Sequence, residues 1–233
     1  MSAPDTACTG LLGGTFNPVH LGHLALAREA RKAFGLDEVW LIPCAVPPHK
    51  TTTDLAPDAD RLAMLRLATE GDPALRVSDI EMHLPPPSWT LRTLDALRAA
   101  HPGRRFAFII GGDTLTQLHT WHEPLQVLER ARFVTLARAG YPKPGWGEHT
   151  VRDAKGKDGS LGELAPPCGG KPPPDAIRLP PPWPGRLLAD YREAALPDVS
   201  SSGVRERIRR GEPIDGLVPD AVIRYIGEKG LYR

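Results

Sequence analysis

The chain has 233 residues, 24% of them charged and 41% hydrophobic, with a formal net charge of +1. That length suits one substantial core, and the near-neutral balance argues against a general nucleic-acid or membrane-surface binder. No apolar run approaches bilayer length and the first residues lack the pattern of a signal peptide. The three scattered cysteines (Cys8, Cys44, Cys168) form neither a disulfide framework nor a zinc spacing, so a cytoplasmic protein is expected.

Thr9 to Gly13 reads as a first strand, closed by Gly13-Gly14, with a helix from about Leu21 to Phe34 that Gly35 stops. Between them lies Gly13-Gly14-Thr15-Phe16-Asn17-Pro18-Val19-His20-Leu21-Gly22-His23. Two histidines three residues apart at a helix start are expected to point the same way. They would sit where unpaired N–H groups and the helix dipole favour an anion. Neither the Walker loop nor the dinucleotide fingerprint is present. Taken alone, the pair could equally be two solvated helix-start histidines.

Glu38 to Pro43 reads as a strand buried on both faces, and Pro47-Pro48-His49-Lys50 follows it with two cationic donors on a proline-restricted loop. Asp60 to Glu70 is expected to be helical, Leu75 to Glu81 a short third strand, and Thr90 the N-cap of a helix carrying Leu91, Leu94 and Leu97. Arg105 to Ile110 is the clearest core strand. Gly111-Gly112-Asp113 ends it with a carboxylate at the ligand edge; Asp113 could instead, or in addition, cap the following helix. Trp121 offers a plane for stacking on a heterocycle, or simple core packing. Arg132 to Arg138 is expected as a fifth strand after two short helices.

Residues 141–185 hold eleven of the 26 prolines and eight of the 23 glycines. They read as a mobile insertion, with a solvated loop favoured over a partner-binding segment. Order is expected again near Arg186, with helices over Gly203 to Arg210 and Pro219 to Lys229. Ser200-Ser201-Ser202-Gly203-Val204-Arg205 opens the first of these with three hydroxyls and a guanidinium, a second anion site. The alternation implies one domain over 8–233, an α/β parallel sheet with helices on both faces, interrupted by the insertion.

The ordered series GGTFNPVHLGHL, Pro47 to Lys50, Ser88-Trp89-Thr90, Gly111 to Trp121 and Ser200 to Arg205 resembles the nicotinate-mononucleotide adenylyltransferase family of the HxGH nucleotidyltransferase superfamily. The resemblance covers nearly the whole chain outside the insertion. It implies a Rossmann-like fold with a small C-terminal helical portion. It also implies transfer of the adenylyl group of ATP to nicotinate mononucleotide with Mg2+. On that basis His20, His23, Lys50 and Arg205 would be catalytic. Gly13, Gly14, Thr15, Phe16, Gly22, Gly111, Asp113, Ser200, Ser201 and Ser202 would bind ATP, and Thr90 and Trp121 the pyridine nucleotide. No protein metal site is expected, and the oligomeric state is open. Trp89, Ser202 and Arg92 depart from the family's usual tyrosine, threonine and aspartate, and Arg92 could add positive charge near the nicotinate carboxylate. The alternatives are a nucleotide sensor without turnover, or adenylyl transfer to nicotinamide mononucleotide or phosphopantetheine.

Overall fold

The computed structural model describes residues 7–47, 54–140, 143–144 and 176–233. Six strands form one sheet in the order β3-β2-β1-β4-β5-β6, and every pairing is parallel. The strands are β1 (Cys8–Gly14), β2 (Glu38–Pro43), β3 (Leu75–Val77), β4 (Arg105–Gly111), β5 (Arg132–Arg138) and β6 (Tyr191–Ala194). The order reverses direction between β1 and β4, the place where ligands bind beyond the carboxyl ends of such sheets.

Alternating side chains feed two cores. Leu12, Val39, Leu41 and Ile109 face one cluster, with Leu24 and Ala27 of α1 (Leu21–Phe34), Met64 and Leu65 of α2 (Asp58–Thr69) and residues of the last two helices. Leu11, Trp40, Ile42 and Phe108 face the other, with Leu94 and Leu97 of α3 (Thr90–Ala100), Leu115 of α4 (Gly112–Leu115) and Val127 of α5 (Pro124–Arg130). This period-two alternation between two covered faces is why β2 and β4 read as continuous apolar runs. Among the described residues no helix is long and apolar enough to cross a membrane.

The structure departs from the sequence reading in four places. The third strand stops at Val77, and a 3₁₀ turn over Ile80–His83 follows it. Thr90 is the first helical residue of α3 and Trp89 the N-cap, with no side-chain cap bond. The helix after the three serines, α7 (Ser201–Arg209), starts two residues earlier than expected, because the Ser200 hydroxyl accepts the Gly203 N–H at 3.1 Å. Finally, residues 176–185 are partly packed rather than solvated throughout: Ile177 and Leu179 are buried in the second core, while Arg178, Pro181 and Pro182 are exposed. Helix α6 (Trp183–Ala189) begins inside the stretch assigned to the insertion, with Pro182 as its N-cap and Pro184 in the first turn, where no N–H is needed. It leads into β6, which sequence reading missed. Most of the Pro/Gly-rich segment, residues 141–142 and 145–175, lies outside the described residues. The last helix, α8 (Asp220–Lys229), ends on Gly230 in the left-handed region.

Candidate active site

At the carboxyl ends of β1, β4 and β5 the sheet opens into a cleft of about 1060 Å³. A smaller cavity of about 550 Å³, between Trp183 and Arg132, lies by the start of β5 and holds none of the residues singled out above. The large cleft is lined by Gly13, Gly14, Thr15, His20, Gly22, His23, Thr90, Gly111, Asp113, Trp121, Ser200, Ser201, Ser202 and Arg205. Segments nearly 200 residues apart in sequence thus share one wall.

His20 is not in the first turn of α1 but is its N-cap, in extended conformation, and His23 is the third helical residue. The two imidazoles stack with centroids 3.7 Å apart. His23 Nδ1 accepts the His20 backbone N–H at 3.2 Å, so the neutral ring of His23 carries its proton on Nε2 as a donor. His20 is 6% exposed. Burial, aided by the positive charge of Arg138, pushes its pKa down to about 4. Gly22 explains itself here: a Cβ at that position would stand 3.0 Å from His20 Nδ1 and 3.5 Å from the Pro197 carbonyl. Any side chain would shift the ring.

Phe16, expected at ATP, is fully buried and does not line the cleft. Its backbone sits at φ +47°, and its ring meets His23 edge-on at 4.8 Å. The Phe16 ring backs His23 from inside the core, so whatever Phe16 offers the cleft comes from its backbone and not its ring.

Facing the histidines, α7 presents its N-terminus with Ser200 and Ser202 hydroxyls 3.3 Å apart. The Ser201 hydroxyl instead donates to the Pro18 carbonyl at 2.9 Å, fastening the histidine turn. Arg205 donates to the Asn17 carbonyl at 2.8 Å and lies 3.5 Å from Asp54. A further cation, Arg138 at the end of β5, lines the cleft and pairs with Asp198. Sequence reading missed it, although a charge closing a buried strand at the ligand edge was the signal used for Asp113.

At the other end of the cleft, Trp121 is held edge-on by Phe108 (5.9 Å) and Phe133 (6.2 Å), and Thr90 opens α3. Trp89 and His122 stack at 4.5 Å on the rim. Beneath them Glu81, buried, accepts the Thr93 hydroxyl at 2.7 Å. Burial pushes the Glu81 carboxyl up and, with Glu81 beside it, the Cys44 thiol up to about 11. Asp113 does not cap its helix, whose N-cap is Gly111. Its carboxylate is folded back so closely that a Cβ on Gly111 would stand 2.6 Å from Asp113 Oδ1 and make that carboxylate rotate away. Arg92 turns away, donating to the carbonyls of Pro85 and Pro86 at 3.0 and 3.4 Å, and does not line the cleft. The charge expected of Arg92 near the nicotinate is directed instead at these two carbonyls. Pro47 lines the cleft. His49 and Lys50 lie outside the described residues.

Two residues that sequence reading passed over hold the loops in place. Arg61, fully buried, donates to the carbonyls of Ala56 (3.1 Å), Thr15 (2.9 Å), Cys44 (2.6 Å) and Ala45 (3.3 Å), and pairs with Asp58. Asn17 joins the histidine turn to residues 54–56. An arginine inside an amphipathic helix gave no cue that it would point inward.

A family model described as cytidylyltransferase-like matches residues 11–207. A relative from Salinibacter ruber, named a nicotinate-nucleotide adenylyltransferase, is 38% identical over 226 residues, covering 96% of this chain and 97% of its own. One from Trichlorobacter lovleyi with the same name is 39% identical over 230 residues, covering 96% and 98%. Among solved structures, the Plasmodium falciparum nicotinic acid mononucleotide adenylyltransferase complexed with NaAD superposes with a TM-score of 0.65 at 16% identity, covering 97% of each chain, which speaks for the fold. With such identity over nearly the full length of both sequences, the chain belongs to the nicotinate-nucleotide adenylyltransferase family.

Proposed function

We infer that the protein transfers the adenylyl group of ATP to nicotinate mononucleotide, releasing pyrophosphate and forming nicotinate adenine dinucleotide. The observation that carries this reading is the opposition, across one cleft, of the stacked histidine pair and the serine-capped start of α7, with an anchored tryptophan at the far end. Two anion-binding helix starts suit a polyphosphate, and an aromatic plane suits a pyridine ring.

In this mechanism a 5′-phosphate oxygen of nicotinate mononucleotide attacks the α-phosphorus of ATP in line. The bond to the β-phosphate oxygen breaks, and the electron pair leaves with pyrophosphate. The nucleophile is already anionic, so no general base is required. The work falls to alignment and charge neutralisation. His23 Nε2–H donates to the α-phosphate. Ser200, Ser202 and the N–H groups of α7 receive the outer phosphates, with Arg205, Arg138 and Lys50 supplying permanent charge. Gly13, Gly14, Thr15 and Gly111 let the nucleotide approach the strand ends, and Asp113 faces it. Trp121 stacks on the pyridine, and the start of α3 at Thr90 offers its N–H groups to the nicotinate carboxylate.

Among the described residues no three of His, Cys, Asp or Glu are grouped to hold a metal. We assign Mg2+ to the ATP polyphosphate, as part of the substrate, where it screens the phosphate charge. The same reading treats residues 8–233 as one catalytic unit of the cytoplasm with ATP and nicotinate mononucleotide as its partners, and no nucleic acid or membrane.

The test is pyrophosphate release from ATP and Mg2+ with nicotinate mononucleotide, nicotinamide mononucleotide and phosphopantetheine offered separately. Release strongest with the nicotinate is expected. Silence with all three, while ATP binds, would move the reading to a nucleotide sensor. In the same assay His23→Ala is expected to lower turnover by on the order of 10², and wild-type turnover in a folded variant would remove His23 from the mechanism.

A further inference from the structure

Asn17, three residues before the first histidine, is 5% exposed and has almost no hydrogen-bonding capacity left over. Its Nδ2 donates to the Asp54 carbonyl at 2.7 Å. Its Oδ1 accepts twice, from the Ala56 N–H at 3.0 Å and from the Tyr232 hydroxyl at 2.9 Å, and its carbonyl accepts from Arg205. Four chain segments therefore meet on one residue: residues 54–56 and the residues after α8 on its side chain, α7 on its carbonyl, and the histidine turn to which it belongs.

Tyr232 reaches this position by a strained route. Gly230 at φ +62° reverses the chain after α8, and the Leu231 N–H returns to the Ile226 carbonyl at 3.1 Å. Tyr232 itself then adopts φ +65°, a region that costs energy for a bulky residue and persists only where the surroundings over-determine it. Burial also holds its phenol well above the ordinary range, so the hydroxyl remains a donor throughout any workable assay pH. A ring needed only for packing would not require a left-handed backbone and a half-buried hydroxyl aimed at one amide oxygen.

We propose that Tyr232 is a positioning residue for adenylyl transfer: its hydroxyl completes the bonding of Asn17 and so fixes the turn that carries His20 and His23. The proposal rests on the function inferred above. Tyr232 does not line the cleft, so its effect travels through Asn17 and appears in turnover rather than in substrate binding.

The experiment compares the wild type with Tyr232→Phe, which removes only the oxygen, and with Tyr232→Leu, on the full chain. Tyr232→Phe is expected to lower kcat about tenfold, as small misplacements of reacting groups do, with KM for both substrates within about twofold. In an Asn17→Ala background, Tyr232→Phe should add no further loss. If Tyr232→Phe keeps wild-type kcat and only Tyr232→Leu is impaired, the ring merely packs and the proposal is wrong. Imidazole nitrogen NMR gives a readout independent of activity. Tyr232→Phe should shift or broaden the His23 resonances, and unchanged resonances overturn the proposal. Should the wild type itself fail to turn over, the functional reading fails and these resonances alone decide the role of Tyr232.

Discussion

At the scale of single residues, the site is organised around a histidine that burial keeps uncharged. Unfolded, His20 would titrate near 6.5; folded, it titrates near 4. Between those values the unfolded chain binds more protons than the folded one. The contribution of His20 to stability is therefore fully present above about pH 6.5 and is lost as pH falls toward 4. The span corresponds to on the order of 3 kcal/mol. Urea midpoints of the wild type should fall between pH 7 and pH 4.5 more steeply than those of His20→Asn. Equal slopes would mean His20 is not the buried neutral group described. In the proposed mechanism the same burial makes the ring a hydrogen-bond partner rather than a ready-made cation, which leaves the permanent charge to Arg205, Arg138 and Lys50.

At the scale of elements, β1 is the hinge between sequence and site, because both glycine turns that open the cleft follow central strands. Gly10 in its middle has no space for a side chain: a Cβ would stand 2.8 Å from Leu36 Cδ1, 2.9 Å from Ile109 Cδ1 and 3.0 Å from Val39 Cγ2. Gly10→Ala is expected to cost about 1–3 kcal/mol through overpacking, or roughly 2–12 °C in thermal midpoint. An unchanged midpoint would show that the three methyls can yield. The elements legible in the sequence were those with strong local signals. The five strands before the insertion, and α1 with its Gly35 stop, announced themselves by apolar period and by turn residues. Helix α6 and strand β6 did not, because seven and four residues of mixed polarity next to a proline cluster carry no period of their own. Tertiary pairing of β6 with β5 gives them their form. In the site, the histidines, serines and Trp121 were legible through spacing. Arg61, Asn17, Glu81 and Arg138 were not, since a polar residue's inward turn depends on partners tens of residues away.

At the scale of the whole molecule, the cleft is roofed by segments from both halves of the chain, and a ligand spanning it stabilises all of them together. Mg-ATP at about one hundred times its Kd should add about 2.7 kcal/mol, a rise of roughly 5–10 °C in midpoint. Differential scanning fluorimetry reads this directly, and a midpoint indifferent to ATP would argue against the cleft as a nucleotide site. The tie between Asn17 and Tyr232 also bears on how the protein is made. These partners lie 215 positions apart. At ordinary translation speeds the ribosome needs roughly 10–40 s to travel from one to the other. Throughout that interval the nascent histidine turn lacks one of its fastenings, so under the role proposed for Tyr232 a growing chain that already displays the whole N-terminal motif is not yet tuned for turnover.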